Sequence, residues 1–416
     1  MKNQIEYFEL YKKKLYELLL HCMTNVEYYK NTWNIELPAY ENFTYDFYQK
    51  HIPLLEKKYV REDSEQFLDI NVSKDELSVD STSGTEGKPI MCYRSKKERF
   101  LCSNSLWKQR RKFVKDLRPS DKFARFYAFR NKDSKVVYNQ VLYRDNDILL
   151  PLFDLSDEKL IYYWNKIVEF KPRWLHGPSS TIYNLALVVK KYNLEWFQFE
   201  FIELSGEFVQ KEHQKFIEEV FRCKTSDQYG CREYWPMAYS DTEGRLQVIT
   251  DNIFIEQIYD ENHNKNELVI TLLKNDAWPL VRYRIGDLGD FIFENNKIYL
   301  TIYQGRKADF FVMANDRRFN AIIFSGLARA ICELYGFNVI LQFQIIKKSD
   351  YMLDVRLRLN EEANKQEVAQ RYKDELHKIV GEDIEINIEE VEYIEPDVRT
   401  GKTKEFINLA AKEVGK

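Results

Sequence analysis

Between residues 123 and 221 short apolar runs alternate with amphipathic stretches, and that alternation leaves few folds open to the chain. FARFYAF (123–129) has strand character and SDEKLIYYWNKIVEF (156–170) has helical spacing. WLHGPSSTIYNLALVVKKYN (174–193) reads as a strand end and a turn, then a helix capped by Ser179 or Ser180. FQFEFIELSGE (197–207) is a strand entering a tight turn, and QKEHQKFIEEVF (210–221) sets Phe216, Ile217, Val220 and Phe221 on one helical side. This order is met by an α/β architecture with a mainly parallel sheet. Upstream, Phe8, Tyr11, Leu15, Leu18 or Leu19, and Cys22 predict an amphipathic helix within 2–30, and a second helix is expected over 96–116.

From residue 305 the pattern changes to a helix near 320–335, strands at 341–346 and 353–359, a helix at 361–380 and a strand at 384–388. The expectation is a large N-terminal domain, 1–304, and a small mobile α+β domain, 305–416, hinged near Gly305-Arg306. Lys plus Arg (62) nearly balance Asp plus Glu (66), so no global field favours nucleic acid or anionic lipid, and binding of small anions must be local. Six cysteines stand without a CxxC pair, which argues against a disulfide framework and a cysteine-rich zinc site. The apolar run Leu18 to Leu20 is too short to span a membrane or serve as a signal sequence, so a cytoplasmic enzyme is expected.

Residues 81–89, STSGTEGKP, concentrate the ligand-binding chemistry. Gly84 and Gly87 open backbone conformations that let successive N–H groups converge on an anion. Ser81, Thr82, Ser83 and Thr85 add hydroxyl donors, and Lys88 adds a positive charge. The run lies between the extended DELSVD (75–80) and a strand in PIMCYRS (89–95), hence in a strand-connecting loop. It is not a Walker loop, because Thr82 stands where the first glycine of that motif is needed and Pro89 follows Lys88. A solvated Ser/Thr/Gly turn has the same composition.

Four further segments carry polar groups in unusual places. LSGE (204–207) places Ser205, Gly206 and Glu207 at a strand end, where Gly206 allows close approach of a planar ligand. DQYGCRE (227–233) offers Asp227, Gln228, Tyr229 as a stacking face, Gly230 for clearance, and Glu233 as a hard oxygen ligand suited to Mg²⁺. In VRYRIGDLGD (281–290), Asp287 can accept hydrogen bonds from vicinal hydroxyls. RTGKTKE (399–405) presents Lys402 on a turn. Each also has a plain structural reading: Glu207 as a helix cap, Tyr229 as core, Asp287 as a turn closure, Lys402 as a solvated charge.

The order of these segments resembles the adenylate-forming enzyme superfamily, from residue 81 to 404. STSGTEGKP, the PS pair of HGPSSTIYNLA, LSGE and DQYG look most like its phenylacetate–coenzyme A ligase branch, including capsular-polysaccharide-type relatives. The resemblance implies that Ser81 to Lys88 embrace the β- and γ-phosphates of ATP, that Glu233 holds Mg²⁺, and that Tyr229 lies against adenine. It implies that Gly206 and Glu207 border the base, Asp287 binds the ribose hydroxyls, Arg306 contacts ribose or phosphate, and Lys402 bridges the carboxylate and the α-phosphate. The acyl pocket would be formed by position 128 (Ala128) and the segment around 129–145, by the helix after Pro178 with Ser179, and by residues 229–240 with Cys231 and Trp235, where Tyr234 and Tyr239 are either wall or core.

The implied function is ATP-dependent, AMP-forming activation of a small-molecule carboxylate, with coenzyme A as default acceptor. Ala308 stands where the family's hinge usually has Asp or Lys, and VMANDRRFN (312–320) replaces a glycine-rich segment. Those departures leave room for an amine acceptor, such as an amino sugar, amino acid or carrier in surface-glycan or natural-product assembly, and a non-catalytic nucleotide-binding protein is a third reading. Nucleic acid and membrane insertion are not expected, and homodimers occur in the branch it resembles.

Overall fold

The computed structural model describes residues 2–82, 89–127, 130–132, 135–137, 140–152, 155–206, 209, 211–249, 252–260, 265–304, 310–336, 339–392, 394 and 405–410. Contacts gather into two units, one of 1–82, 90–118 and 226–305, the other of 83–89, 119–225 and 306–416.

In the first unit the predicted N-terminal helix is split in two, Lys2–Asn25 and Glu27–Thr32, around the buried Val26. Phe8, Leu15, Leu18, Leu19 and Cys22 are buried as their helical spacing requires. Strands Leu77–Ser81 and Met91–Ser95 pair antiparallel with Ser81 opposite Met91, so the glycine-rich run is a hairpin connection. The helix Lys96–Phe113 starts from a capping box in which Ser95 accepts from the Glu98 N–H and Glu98 accepts from the Ser95 N–H.

The remaining strands of this unit form an antiparallel array. Its order is Ile253–Asp260, Lys265–Leu272, Tyr283–Glu294, Lys297–Gln304, Leu246–Val248, Trp235–Ser240, Lys224–Cys231. Asn295 and Asn296, both at positive φ, make the two-residue turn that joins Glu294 to Lys297. A buried ion pair anchors the array: Arg282 holds both oxygens of Glu256 at 3.0 Å and donates to the carbonyls of Tyr48, Gln49 and Ile52. Every charge of that pair is thus matched, the condition under which a buried ion pair is tolerated.

Parallel ladders run through the second unit, where Phe201–Ser205, Trp174–Gly177, Phe123–Tyr127 and Asp147–Pro151 lie side by side. Helices Asp157–Phe170, Ser179–Lys191 and Lys211–Phe221 contribute Trp164, Ile167, Ile182, Leu185, Ile217 and Phe221 to its core. Neither Ser179 nor Ser180 caps its helix: Pro178 is the N-cap and no side chain caps it, which fits a proline just ahead of the first turn. The strand expected over 197–207 is shorter, Phe201–Ser205, because only this stretch finds a ladder partner in 174–177.

The C-terminal segment adds a four-stranded sheet ordered Glu385–Glu390, Met352–Leu359, Ile340–Ser349, Phe406–Asn408, together with helices Ile322–Tyr335 and Lys365–Val380. Strand 406–408 had no clear signal in the sequence; three residues are too few to show a period. Over 312–320, where the resemblance implies a glycine-rich segment, a hairpin forms between Phe310–Met313 and Arg317–Asn320, turned by Asn315 (φ 61°) and Asp316 (φ 55°). Asn and Asp are the side chains that best tolerate this left-handed geometry. Arg318 ties the hairpin to the start of helix 157–170, its carbonyl accepting from Leu155 N–H at 2.8 Å and its guanidinium 3.3 Å from Asp157. No helix among the described residues is long and apolar enough to cross a membrane. All six cysteines are free thiols, as their scattered spacing indicated.

Candidate functional site

The strand Lys224–Cys231 is the spine of the candidate site. Alternation along a strand sets Asp227, Tyr229 and Cys231 on one face. Tyr229 reaches across the sheet to donate its phenolic hydroxyl to Asp287 Oδ2 at 2.6 Å, joining two motifs 58 residues apart. Burial, and then the Asp287 carboxylate, push the Tyr229 phenol well above its ordinary range, so it remains a donor at neutral pH. Burial also raises Asp227 to about 7, while its backbone N–H donates to Ser240 Oγ at 2.6 Å.

Glu233 sits in the turn after this strand, 5% exposed. Its Oε1 accepts from Tyr283 OH at 3.2 Å. The Cys231 thiol also donates to the Glu233 carboxylate; burial first, then that charge, raises the thiol well above its usual range. Cys231 is thus a protonated neighbour of the acid and no nucleophile. Tyr229, Cys231 and Glu233 from DQYGCRE and Asp287 from VRYRIGDLGD converge as one cluster with Tyr283.

Gly230 has a different reason from the one its motif suggested. A Cβ there would lie 2.0 Å from the carbonyl oxygen of Trp235, so the missing side chain makes room for the adjacent strand and not for a ligand. The pairing shifts register at this point, with Met237 as the extra residue on the partner strand. Trp235, expected in an acyl pocket, has φ 61° and lies against the guanidinium groups of Arg94 and Arg99, 4.8 and 5.8 Å from its ring centroid. Tyr234 and Tyr239 are core: Tyr234 donates to the Ile270 carbonyl and Tyr239 accepts from Ser226.

At the base of the glycine-rich loop Thr82 is fixed twice, its N–H donating to the Ile90 carbonyl at 3.0 Å and its hydroxyl accepting from the Ile90 N–H at 2.9 Å. Ser81 is buried within its strand. The hydroxyl of Thr82 therefore closes the hairpin, a use that its loop composition did not reveal. Ser83, Gly84, Thr85, Gly87, Lys88, Ala128, Glu207, Arg306, Ala308 and Lys402 lie outside the described residues.

In the second unit Ser205 and Gly206 end the strand Phe201–Ser205. Gly206 has φ 80° with open space where a Cβ would stand, so the turn requires glycine for its backbone and leaves that side clear. Ser205 Oγ is 2.7 Å from His176 Nε2, which is 3.7 Å from Oε1 of the fully buried Glu203. His176 and Glu203 are partners by strand register, which the sequence does not display. Ser179 is buried at the first turn of its helix, and Tyr127 is buried with its hydroxyl donating to the Gln140 carbonyl at 2.6 Å.

The Glu233 carboxylate is a hard oxygen donor of the kind that holds magnesium alongside nucleotide phosphates, so the donor chemistry fits that ion.

No family model matches the chain. Protein CapK of Staphylococcus aureus is 24% identical over 96% of this chain and 89% of its own length. Indoleacetate–lysine synthetase of Pseudomonas savastanoi is 22% identical over 66% of this chain and 69% of its own length. Among solved structures, 2-hydroxyisobutyryl-CoA ligase with 2-HIB-AMP and CoA in the thioesterification state superposes with a TM-score of 0.57 at 15% identity, covering 97% of this chain and 90% of that one. Its open conformation gives 0.54 at 16% identity, covering 95% and 90%. Across nearly its full length, the chain has the fold of the adenylate-forming enzymes.

Proposed function

We propose that this protein activates a carboxylate with MgATP as an acyl-adenylate and then transfers the acyl group, with coenzyme A as default acceptor. The observation that carries the reading is the convergence of Tyr229 and Glu233, from DQYGCRE, with Asp287, from VRYRIGDLGD, in the antiparallel sheet. In the first step a carboxylate oxygen bonds to the α-phosphorus as the bond to the bridging oxygen breaks and pyrophosphate leaves. Bound magnesium would offset charge on the leaving group, with Glu233 as its protein ligand. Asp287, held by Tyr229, would accept from the ribose hydroxyls. Lys88 and the loop N–H groups would face the β- and γ-phosphates, and Lys402 the carboxylate and α-phosphate, each such donor worth about 3–4 kcal/mol if it acts like one oxyanion donor.

In the second step the acceptor's sulfur or nitrogen bonds to the acyl carbon and AMP leaves with the oxygen. The 305–416 segment would serve as a lid, and for it to swing, the Leu155–Arg318 and Asp157–Arg318 contacts must open. Two observations favour an amine acceptor as the second reading: the hairpin with its Asn315-Asp316 turn in place of a glycine-rich segment, and the likeness to a synthetase named for joining indoleacetate to lysine. The likeness to Protein CapK supports the reading of a role in surface-polysaccharide biosynthesis, in line with the capsular-polysaccharide-type resemblance of the motifs. The free thiols support a cytoplasmic setting.

The test is carboxylate-dependent exchange of labelled pyrophosphate into ATP over a substrate panel, with Lys402→Ala as the comparison. Exchange that Lys402→Ala abolishes supports activation, and product analysis then separates thioester from amide. ATP binding without exchange on any carboxylate supports the non-catalytic alternative.

A further inference from the structure

We infer that Arg94 is a positioning residue that sets the Glu233 carboxylate for the metal-bound nucleotide. The inference rests on the proposed adenylating function for the identity of the ligand, but its geometry stands by itself. Arg94 lies on the strand Met91–Ser95, which leads away from the glycine-rich loop, and is only 3% exposed. Its Nη2 donates to two consecutive carbonyls, those of Arg232 and Glu233, the latter at 2.8 Å. Its guanidinium carbon stands 4.8 Å from the ring centroid of Trp235. Its Nη1 is 3.9 Å from Asp80 Oδ2, and Asp80 is also 3.9 Å from Arg232.

One planar cation therefore holds three residues of a four-residue stretch, 232, 233 and 235, around the turn that presents the acid. The turn needs such a fastening. Trp235 is held at φ 61°, a left-handed conformation that strains a bulky side chain. Gly230 and Trp235 approach too closely for any Cβ. A guanidinium joins a donor nitrogen shared by two carbonyls to a flat face that covers an indole; an ammonium has no such face. The Glu233 side chain has its own partners, Tyr283 and Cys231, so Arg94 acts on where the carboxylate stands and does not itself take up its oxygens.

The experiment compares wild type, Arg94→Lys and Trp235→Leu by calorimetric titration with ATP, with magnesium present and with the metal chelated, and by thermal melting. In wild type, magnesium is expected to tighten ATP binding; in Arg94→Lys that gain is expected to fall about tenfold while metal-free ATP binds as before. Trp235→Leu, which removes the ring face but leaves the guanidinium, is expected to lose about threefold of the gain, and it carries the test if Arg94→Lys does not fold. Equal weakening with and without metal, an unchanged gain in a folded variant, or no gain in wild type would each overturn the assignment. Failure of pyrophosphate exchange in a wild type that shows the magnesium gain would instead sink the adenylating function and leave the role of Arg94 standing.

Discussion

In the antiparallel unit the candidate residues hold one another: Tyr229 donates to Asp287, and Tyr283 and Cys231 donate to Glu233, all on a framework of long paired strands. In the parallel unit Ser205 and Gly206 stand where a five-residue strand ends, with His176 as the partner of the serine. The first arrangement fixes carboxylates through buried donors, and loss of any donor moves an acid. The second is a rim, shaped by a left-handed glycine and one hydrogen bond between neighbouring strands. Charge should therefore be handled by the carboxylates of the first unit, while the second offers an open backbone turn.

The strongest challenge to that division is Glu233→Gln, expected to slow pyrophosphate exchange about 100-fold, or about 2.7 kcal/mol, with the melting temperature near that of wild type. A loss of tenfold or less would remove the antiparallel unit's claim to the charged end. Tyr229→Phe should weaken ATP binding about tenfold, the scale of a hydrogen bond to a charged acceptor; Asp287→Asn in the same background should then add little, because the two act together.

Asp227 sharpens the contrast through pH. Its folded value of about 7 lies above the ordinary carboxylate range, so its contribution to stability is full below pH 4 and is lost as pH rises to 7. Asp227→Asn should therefore be more stable than wild type at pH 8, by roughly 1–2 kcal/mol, with the difference vanishing near pH 4; urea unfolding at the two pH values measures it. The smallest effect is expected from Ser205→Ala, at about 1 kcal/mol of stability or less and under threefold in exchange. A loss matching that of Glu233→Gln would break the comparison outright.

The α/β alternation of 123–221 was readable because each strand and helix there has its own period, and the helix expected over 96–116 forms at 96–113, its capping box of Ser95 and Glu98 seen only in the structure. Tyr229, Glu233 and Asp287 were readable as types in ordered motifs. The bond between Tyr229 and Asp287 was not, since it depends on how strands 224–231 and 283–294 are brought together in space. Arg94 and Glu203 were missed for a related reason: a single charge in an otherwise ordinary strand carries no local mark of its partners, which here are backbone carbonyls 138 and 139 residues away for Arg94 and an imidazole on the adjacent strand for Glu203. Gly230 was noticed but misread, because the sequence reports the lack of a side chain without saying which neighbour fills the gap.

That neighbour gives Gly230 an influence out of proportion to its chemistry. Even a methyl group at the position would force two backbones apart by about an ångström, opening the ribbon on either side and carrying the following acid with it. Drift at a residue that touches no reactant would silence the centre as thoroughly as deletion of a ligand, so an inactive descendant of this chain could still display every polar group the reaction asks for.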